Sequence, residues 1–169
     1  EGMTVRTDTP AVRRLQRAAL RLLLSVHDVD CRHCPANRRC ALQDMARFLK
    51  TALKSKSLDV YLKEPAVDEH HPLFRYYPNR CVLCGRCIHV CREKHESSQL
   101  TFAGRGFETV IGFFEDRGAA LDACSRCLAC VEACPVGALV LREAPPGTAG
   151  PWTTAPGRGG LVDKPCPEK

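Results

Sequence analysis

Apolar residues near the amino terminus recur every three or four positions, in two blocks. In the first, Leu15, Ala19, Leu22, Leu23 and Val26 follow Thr9-Pro10, a pair suited to an N-cap and the first helical position. This predicts an amphipathic helix over 10–26, ending at His27. In the second, Leu42, Met45, Ala46, Leu49 and Leu53 predict a helix over 41–54. Between them, Cys31 to Cys40 contains Pro35 and Asn37, which a regular helix does not accommodate throughout, so this segment is read as a loop.

From Lys54 to Asn79 the pattern is mixed and Pro65, Pro72 and Pro78 interrupt it, which predicts a linker with one helical turn near Leu58 to Leu62. Further on the period shortens to two. Phe107, Thr109, Ile111 and Phe113 alternate with Glu108 and Val110 beyond Gly104-Arg105-Gly106, and the stretch Gln99 to Phe114 is read as a β-hairpin. Beyond Leu141 proline and glycine dominate and little is left to bury, so 142–169 reads as a flexible tail.

Composition narrows the picture. The chain has 169 residues, 44% hydrophobic but unevenly spread, consistent with two small modules and a tail. Glu1-Gly2-Met3 opens no charged-then-apolar leader, and the longest apolar run, around Leu22 to Leu24, falls far short of the ~20 residues of a membrane span. The twelve cysteines are therefore read as reduced metal ligands of a cytoplasmic chain rather than a disulfide framework. The formal charge of +6 is read as scattered among acidic residues, which favours a solvated surface or a protein docking face over nucleic acid.

The cysteines carry an internal repeat. Cys81-x-x-Cys84-x-x-Cys87-x-x-x-Cys91 recurs about 43 residues later as Cys124-x-x-Cys127-x-x-Cys130-x-x-x-Cys134-Pro135. Three thiolates on a tight loop reach three corners of an iron–sulfur cube, while the fourth, at the start of the next helix, serves the other cube. One [4Fe-4S] cluster is assigned to Cys81, Cys84, Cys87 and Cys134, and another to Cys124, Cys127, Cys130 and Cys91. Pro135 withholds an amide and turns the chain, and Gly85, Ala129, Gly137 and Ala138 are small enough to let backbone amides approach the sulfurs. Structural zinc usually joins two Cys-x-x-Cys pairs across a longer gap, so this spacing favours iron and sulfur.

His27-x-x-x-Cys31-x-x-Cys34-x-x-x-x-x-Cys40 supplies four further donors, which by spacing alone suit a Cys3His zinc site and an iron–sulfur cluster equally. His33 stands between two of the donors as a competitor to His27, whereas His70, His71, His89 and His95 have no such frame. Cys166 lies apart from every set, Trp152 is a candidate anchor or a packing residue of the tail, and Arg105 and Arg117 flank the hairpin as solvated residues.

His27-Asp28-Val29-Asp30-Cys31, Cys34 and Cys40-Ala41-Leu42-Gln43-Asp44, followed by the two cysteine runs, resemble the amino-terminal part of the large iron–sulfur subunit of respiratory complex I. Diaphorase small subunits of NAD-reducing hydrogenases and NAD-dependent formate dehydrogenases share this order. The resemblance covers residues 1–141 and implies that His27, Cys31, Cys34 and Cys40 hold a [4Fe-4S] cluster. Glu1 to Asp8 resembles the segment that follows a plant-type [2Fe-2S] domain in those relatives; that domain is not expected in this chain. The loop Pro35 to Arg39 departs from the acidic, glycine-rich form of relatives, and its basic residues are expected to raise the potential of the nearby cluster.

The expected architecture is α+β: a helical His/Cys3 module over 1–54, a linker over 55–79, a bacterial-type 2[4Fe-4S] ferredoxin-like module with an inserted β-hairpin over 80–141, and the tail. No Gly-x-Gly-x-x-Gly after a strand, Walker loop or Ser/His/Asp set is recognisable. The resemblance implies a non-catalytic electron-transfer subunit with three [4Fe-4S] clusters, placed between a flavin/NADH-binding subunit and a terminal redox subunit. The alternatives are a free ferredoxin-like carrier and, from another class, a structural zinc interaction module.

Overall fold

In the computed structural model, which describes residues 2–54, 58–95, 99–113, 124 and 127–142, Thr9 Oγ1 accepts the Val12 N–H at 3.2 Å and opens α1, Pro10–Ser25. The buried stripe of α1 is Leu20 and Leu24, with Leu23 packed at its edge. Leu15 and Leu22, expected on the inner face, are 71% and 63% exposed. Arg17 Nε donates to Leu49 O at 2.8 Å and the Arg13 guanidinium lies 5.1 Å from the Phe48 ring, which ties α1 to the second helix.

That second helix, α2, is Ala41–Phe48 and stops well before the expected residue 54. Its end is a left-handed cap without glycine. Lys50 has φ +51°, its N–H donates to Arg47 O at 3.2 Å, and Thr51 N–H donates to Ala46 O at 2.9 Å. Both bonds satisfy carbonyls that a helix terminus otherwise leaves open.

The stretch read as a linker contains ordered structure instead of a helical turn. Tyr61 N–H donates to Ser25 O at 2.8 Å, and Lys63 N–H donates to Oδ1 of Asn79 at 2.7 Å while Asn79 Nδ2 donates to Lys63 O at 3.0 Å. Asn79 is 5% exposed, and these bonds satisfy both ends of its buried amide. Nearby, β1, Phe74–Tyr76, alternates buried, exposed and buried, and pairs antiparallel with β4, Leu139–Leu141. A 3-10 turn over Pro78–Arg80 then delivers the chain to Cys81.

The hairpin expected within 99–114 is present as β2, Leu100–Ala103, and β3, Val110–Phe113, in register from Leu100↔Phe113 to Ala103↔Val110. Its bend requires Gly104, where φ is +74° and a Cβ would stand 2.5 Å from Glu108 O. Between the strand pairs, α3, Arg86–Lys94, packs on α4, Ala129–Glu132, and on β2. Phe113 joins the two small sheets: its ring lies 5.4 Å from Phe74 and 5.9 Å from Tyr76.

Leu20, Leu24, Leu42 and Ala46 of the first helices share one buried cluster with Phe74, Tyr76, Ile88, Ile111, Val136 and Leu139. The helical segment and the strand-bearing segment thus have a common core. Among the described residues no helix is long and apolar enough to cross a membrane. Arg117, Trp152 and Cys166, with the tail beyond 142, lie outside the described residues.

Candidate metal centres

The cysteine repeat is repeated in the backbone. Gly85 and Leu128 follow the second cysteine of their runs, both adopt left-handed conformations (φ +72° and +48°), and each is the N-cap of a helix. The third cysteine is therefore already helical: Cys87 lies in the first turn of α3 with Cys91 one turn on, and Cys130 lies in α4 with Cys134 beyond its end. The expectation that the fourth cysteine begins the helix is corrected by one turn, because the left-handed residue starts the helix immediately after the second cysteine.

Proximity sorts the eight thiols into two sets. Burial pushes the Cys87 thiol up to about 11, and Cys81, Cys134 and Cys84 add to it as neighbouring charges. Cys81 is also raised by burial, with Cys134 and Cys84 beside it. Burial pushes Cys130 up to about 12, with Cys91, Cys124 and Cys87 nearby, and Cys124 is raised by burial and then by Cys91 and Cys127. Cys81, Cys84, Cys87 and Cys134 form one neighbourhood and Cys91, Cys124, Cys127 and Cys130 the other, touching through Cys87 and Cys130.

Backbone amides address these sulfurs. Ala138 N–H reaches Cys134 Sγ at 3.2 Å, Leu83 N–H reaches Cys81 Sγ at 3.4 Å, and Gln99 N–H reaches Cys91 Sγ at 3.4 Å. Of the small residues expected to make such room, Gly85 has φ +72° and a Cβ there would be in ordinary contact with the Phe102 ring, and a Cβ on Gly137 would meet Ala36 Cβ at 2.9 Å and Cys34 Sγ at 3.5 Å. None of the eleven described cysteines is in a disulfide.

His27 follows the end of α1, and its Nδ1 is buried with no hydrogen-bond partner. Burial lowers its pKa, partly opposed by Asp28 and reinforced by Arg80, so the ring is held neutral, as a metal ligand must be. Cys40, at the N-cap of α2, is raised by burial and senses Cys34 and Cys31; the Gln43 and Leu42 amides oppose the shift. His33 faces away: its exposed ring pairs with Asp30 Oδ2 at 2.7 Å.

This loop rests directly on the repeat. Asp28 N–H donates to Asn79 O at 2.7 Å, Ala41 N–H donates to Pro135 O at 3.0 Å, and Cys34 Sγ lies 3.9 Å from Val136 O. Gly137, with φ +67°, fits against Ala36 and Cys34 because it lacks a side chain. The His27 loop therefore adjoins the neighbourhood of Cys81 and Cys134, with Arg80 between them and stacked 4.1 Å from the Tyr77 ring.

The donor chemistry fits polynuclear clusters. Buried or half-buried sulfurs outside any disulfide that receive amide hydrogen bonds, and an orphaned neutral imidazole, are groups that a cationic iron–sulfur core would satisfy. Among the described residues no three His, Cys, Asp or Glu side chains close in around one metal ion.

Residues 16–51 match the NADH-ubiquinone oxidoreductase-G iron-sulfur binding region, and residues 71–140 match the NADH-quinone oxidoreductase subunit 3, ferredoxin-like domain. Over 148 residues the chain is 34% identical to the G 2 subunit of NADH-quinone oxidoreductase from Rhizobium meliloti (strain 1021), a match covering 83% of this chain and 16% of that protein. It is 31% identical over 140 residues to NADPH-Fe(3+) oxidoreductase subunit alpha of Geobacter sulfurreducens (strain DL-1 / KN400), again covering 83% and 16%. A chain in the crystal structure of NAD+-reducing [NiFe]-hydrogenase in the H2-reduced state superposes with a TM-score of 0.68 at 26% identity, covering 88% of this chain and 60% of that one. The matched part is thus a minor fraction of each curated relative.

Proposed function

Because this chain belongs to the iron–sulfur subunit family of complex I-like NADH dehydrogenases, we propose that it holds three [4Fe-4S] clusters in series and relays single electrons between a flavin/NADH-binding subunit and a terminal redox subunit. The sorting of the eight repeat thiols into two crossed neighbourhoods carries this reading. Cys81, Cys84, Cys87 and Cys134 hold one cluster, Cys124, Cys127, Cys130 and Cys91 a second, and His27, Cys31, Cys34 and Cys40 the third. The clusters supply reversible one-electron chemistry when bound.

The residues of this chain orient and insulate that chemistry. Crossing the fourth ligands makes each cluster bind both repeats, so loading and folding are linked. Contacts from Asp28 to Asn79 and from Ala41 to Pro135 support an order with the Cys81 set in the middle and the His27 set at one end. Amide donors at Cys134, Cys81 and Cys91 stabilise the more negative reduced state.

The His27 end also has the features of a docking face. Residues 1–54 contain eleven Arg and Lys against five Asp and Glu, whereas the remainder has fourteen of each, so the surplus charge is concentrated here and not scattered. Exposed Leu15, Leu22 and Phe48 lie on the same segment. An acidic, apolar-centred partner surface would complement it.

Stopped-flow mixing tests the relay. Anaerobically loaded chain should keep its visible absorbance with NADH alone and bleach when an NADH-oxidising flavoprotein is added. A loaded chain that no low-potential donor can reduce would overturn the reading.

A further inference from the structure

An open cleft of about 540 Å³ lies beside the His27 loop, lined by Asn37 and Arg38 of that loop, by one side of α2 and by residues 50–53 beyond it. Gln43 of α2 ties the loop to the helix: its Oε1 accepts the Arg38 N–H at 2.8 Å and its Nε2 donates to Asn37 Oδ1 at 3.0 Å. Asn37 N–H in turn donates to Cys34 O at 3.0 Å, and Cys40 is the N-cap of α2, so this wall is built on two donors of the His27 set. The lining carries three cations, Arg38, Arg47 and Lys50, and no carboxylate. Arg47 is held by Asp44 at 2.9 Å, whereas Arg38 and Lys50 make no ion pair among the described residues. Both are exposed and stand on left-handed backbone, φ +67° and +51°, where glycine would be the easier choice. Beneath these charges the lining is apolar: Ala46 is buried and Leu53 is half-buried against the core.

We propose that this cleft docks an acidic segment of the protein that exchanges electrons with the His27-set cluster, an apolar side chain of that segment resting on Ala46 and Leu53 and its carboxylates facing Arg38 and Lys50. The inference rests on the relay reading. An apolar floor rimmed by cations suits a peptide that carries an apolar side chain between carboxylates; a free phosphate has nothing to bury there. The unpaired cations steer the encounter and set the register, and the floor holds the complex once formed. Docking here sets the partner against the loop that carries Cys34 and Cys40. The cleft thus gives the terminal station of the relay a defined exit or entry point.

The test uses the full chain, loaded anaerobically, and a dye-labelled peptide with one leucine between pairs of aspartate and glutamate, read by fluorescence anisotropy. Arg38→Glu combined with Lys50→Glu should weaken binding roughly tenfold or more, because like charges then face each other. Arg14→Glu combined with Arg21→Glu makes the same change in net charge at exposed positions of α1 outside the cleft, and should leave binding within about twofold. Should the first pair disturb folding, Ala52→Glu adds a carboxylate at an exposed position of the lining and should weaken the peptide in the same direction. Bound peptide should also change the EPR signal of the His27 set and leave the other two signals in place. Equal losses in both double variants, no binding, an unchanged His27-set signal with peptide bound, or displacement by inorganic phosphate or oligothymidylate at lower concentration than by unlabelled peptide would overturn the docking cleft. A wild-type chain that binds the peptide but has no His27-set signal would instead overturn the relay reading at this end.

Discussion

Replacing Gly137 by alanine tests how the His27 loop is seated. The added methyl would stand 2.9 Å from Ala36 Cβ, 3.3 Å from Ala36 N and 3.5 Å from Cys34 Sγ, on a backbone with φ +67°. The left-handed conformation costs a non-glycine residue about 1–2 kcal/mol, and forcing a methyl into a packed contact costs about 1–3 kcal/mol more. The total is roughly 2–5 kcal/mol, a large share of the stability of a small domain. Gly106 separates the two contributions, because its φ is +59° but a Cβ there would meet nothing within 4 Å. Gly106→Ala should therefore show only the backbone cost. Guanidinium midpoints of anaerobically loaded chains, read by circular dichroism, should rank wild type, Gly106→Ala and Gly137→Ala in falling order. Adding Ala36→Gly to Gly137→Ala should recover part of the loss, a coupling of about 1–3 kcal/mol in a double-mutant cycle. Equal losses at both glycines, with no coupling to position 36, would refute the direct packing of the loop on Val136 to Ala138.

Two other substitutions probe the ligand sets and the core. Cys134→Ser should alter the EPR signal of the cluster held by Cys81, Cys84 and Cys87; damage confined to the Cys124 set would refute the crossed grouping. His71 stacks 3.8 Å from Phe74 and its Nδ1 accepts the Leu73 N–H at 3.3 Å, an arrangement that needs the neutral ring. Burial, then Arg142, lowers its pKa from 6.5 to about 4, with Asp68 opposing. The unfolded chain thus binds the proton first, so this contribution is complete above about pH 6.5 and is lost as pH falls towards about 4. After allowance for solvent screening it is about 1–2 kcal/mol. His71→Gln should flatten that part of the pH–stability curve relative to wild type; parallel curves would show that His71 does not titrate this way.

Local signals were legible where they are encoded by neighbours. Thr9-Pro10 announces the start of α1, Gly104 to Gly106 the hairpin bend, and the cysteine spacing the two metal-binding runs. Long-range consequences were not. The pairing of Phe74–Tyr76 with Leu139–Leu141 joins segments on either side of both cysteine runs, and a three-residue strand after a proline-rich stretch carries too little periodicity to announce itself. The early stop of α2 depends on a left-handed lysine at position 50, where glycine is the usual marker. Leu15 and Leu22 satisfy the helical period yet face outward, because periodicity identifies stripes without saying which stripe meets the core. His27 could be named as a donor from spacing and resemblance, but its orphaned, buried ring nitrogen is visible only in three dimensions.

The most direct test of the central claim is quantitative iron and acid-labile sulfide analysis of the anaerobically isolated chain, with EPR of the reduced sample. Three cubes predict roughly 12 iron and 12 sulfide per chain, with three reducible signals, one of which is lost or reshaped in His27→Ala. A colourless chain containing zinc and no labile sulfide would contradict the account.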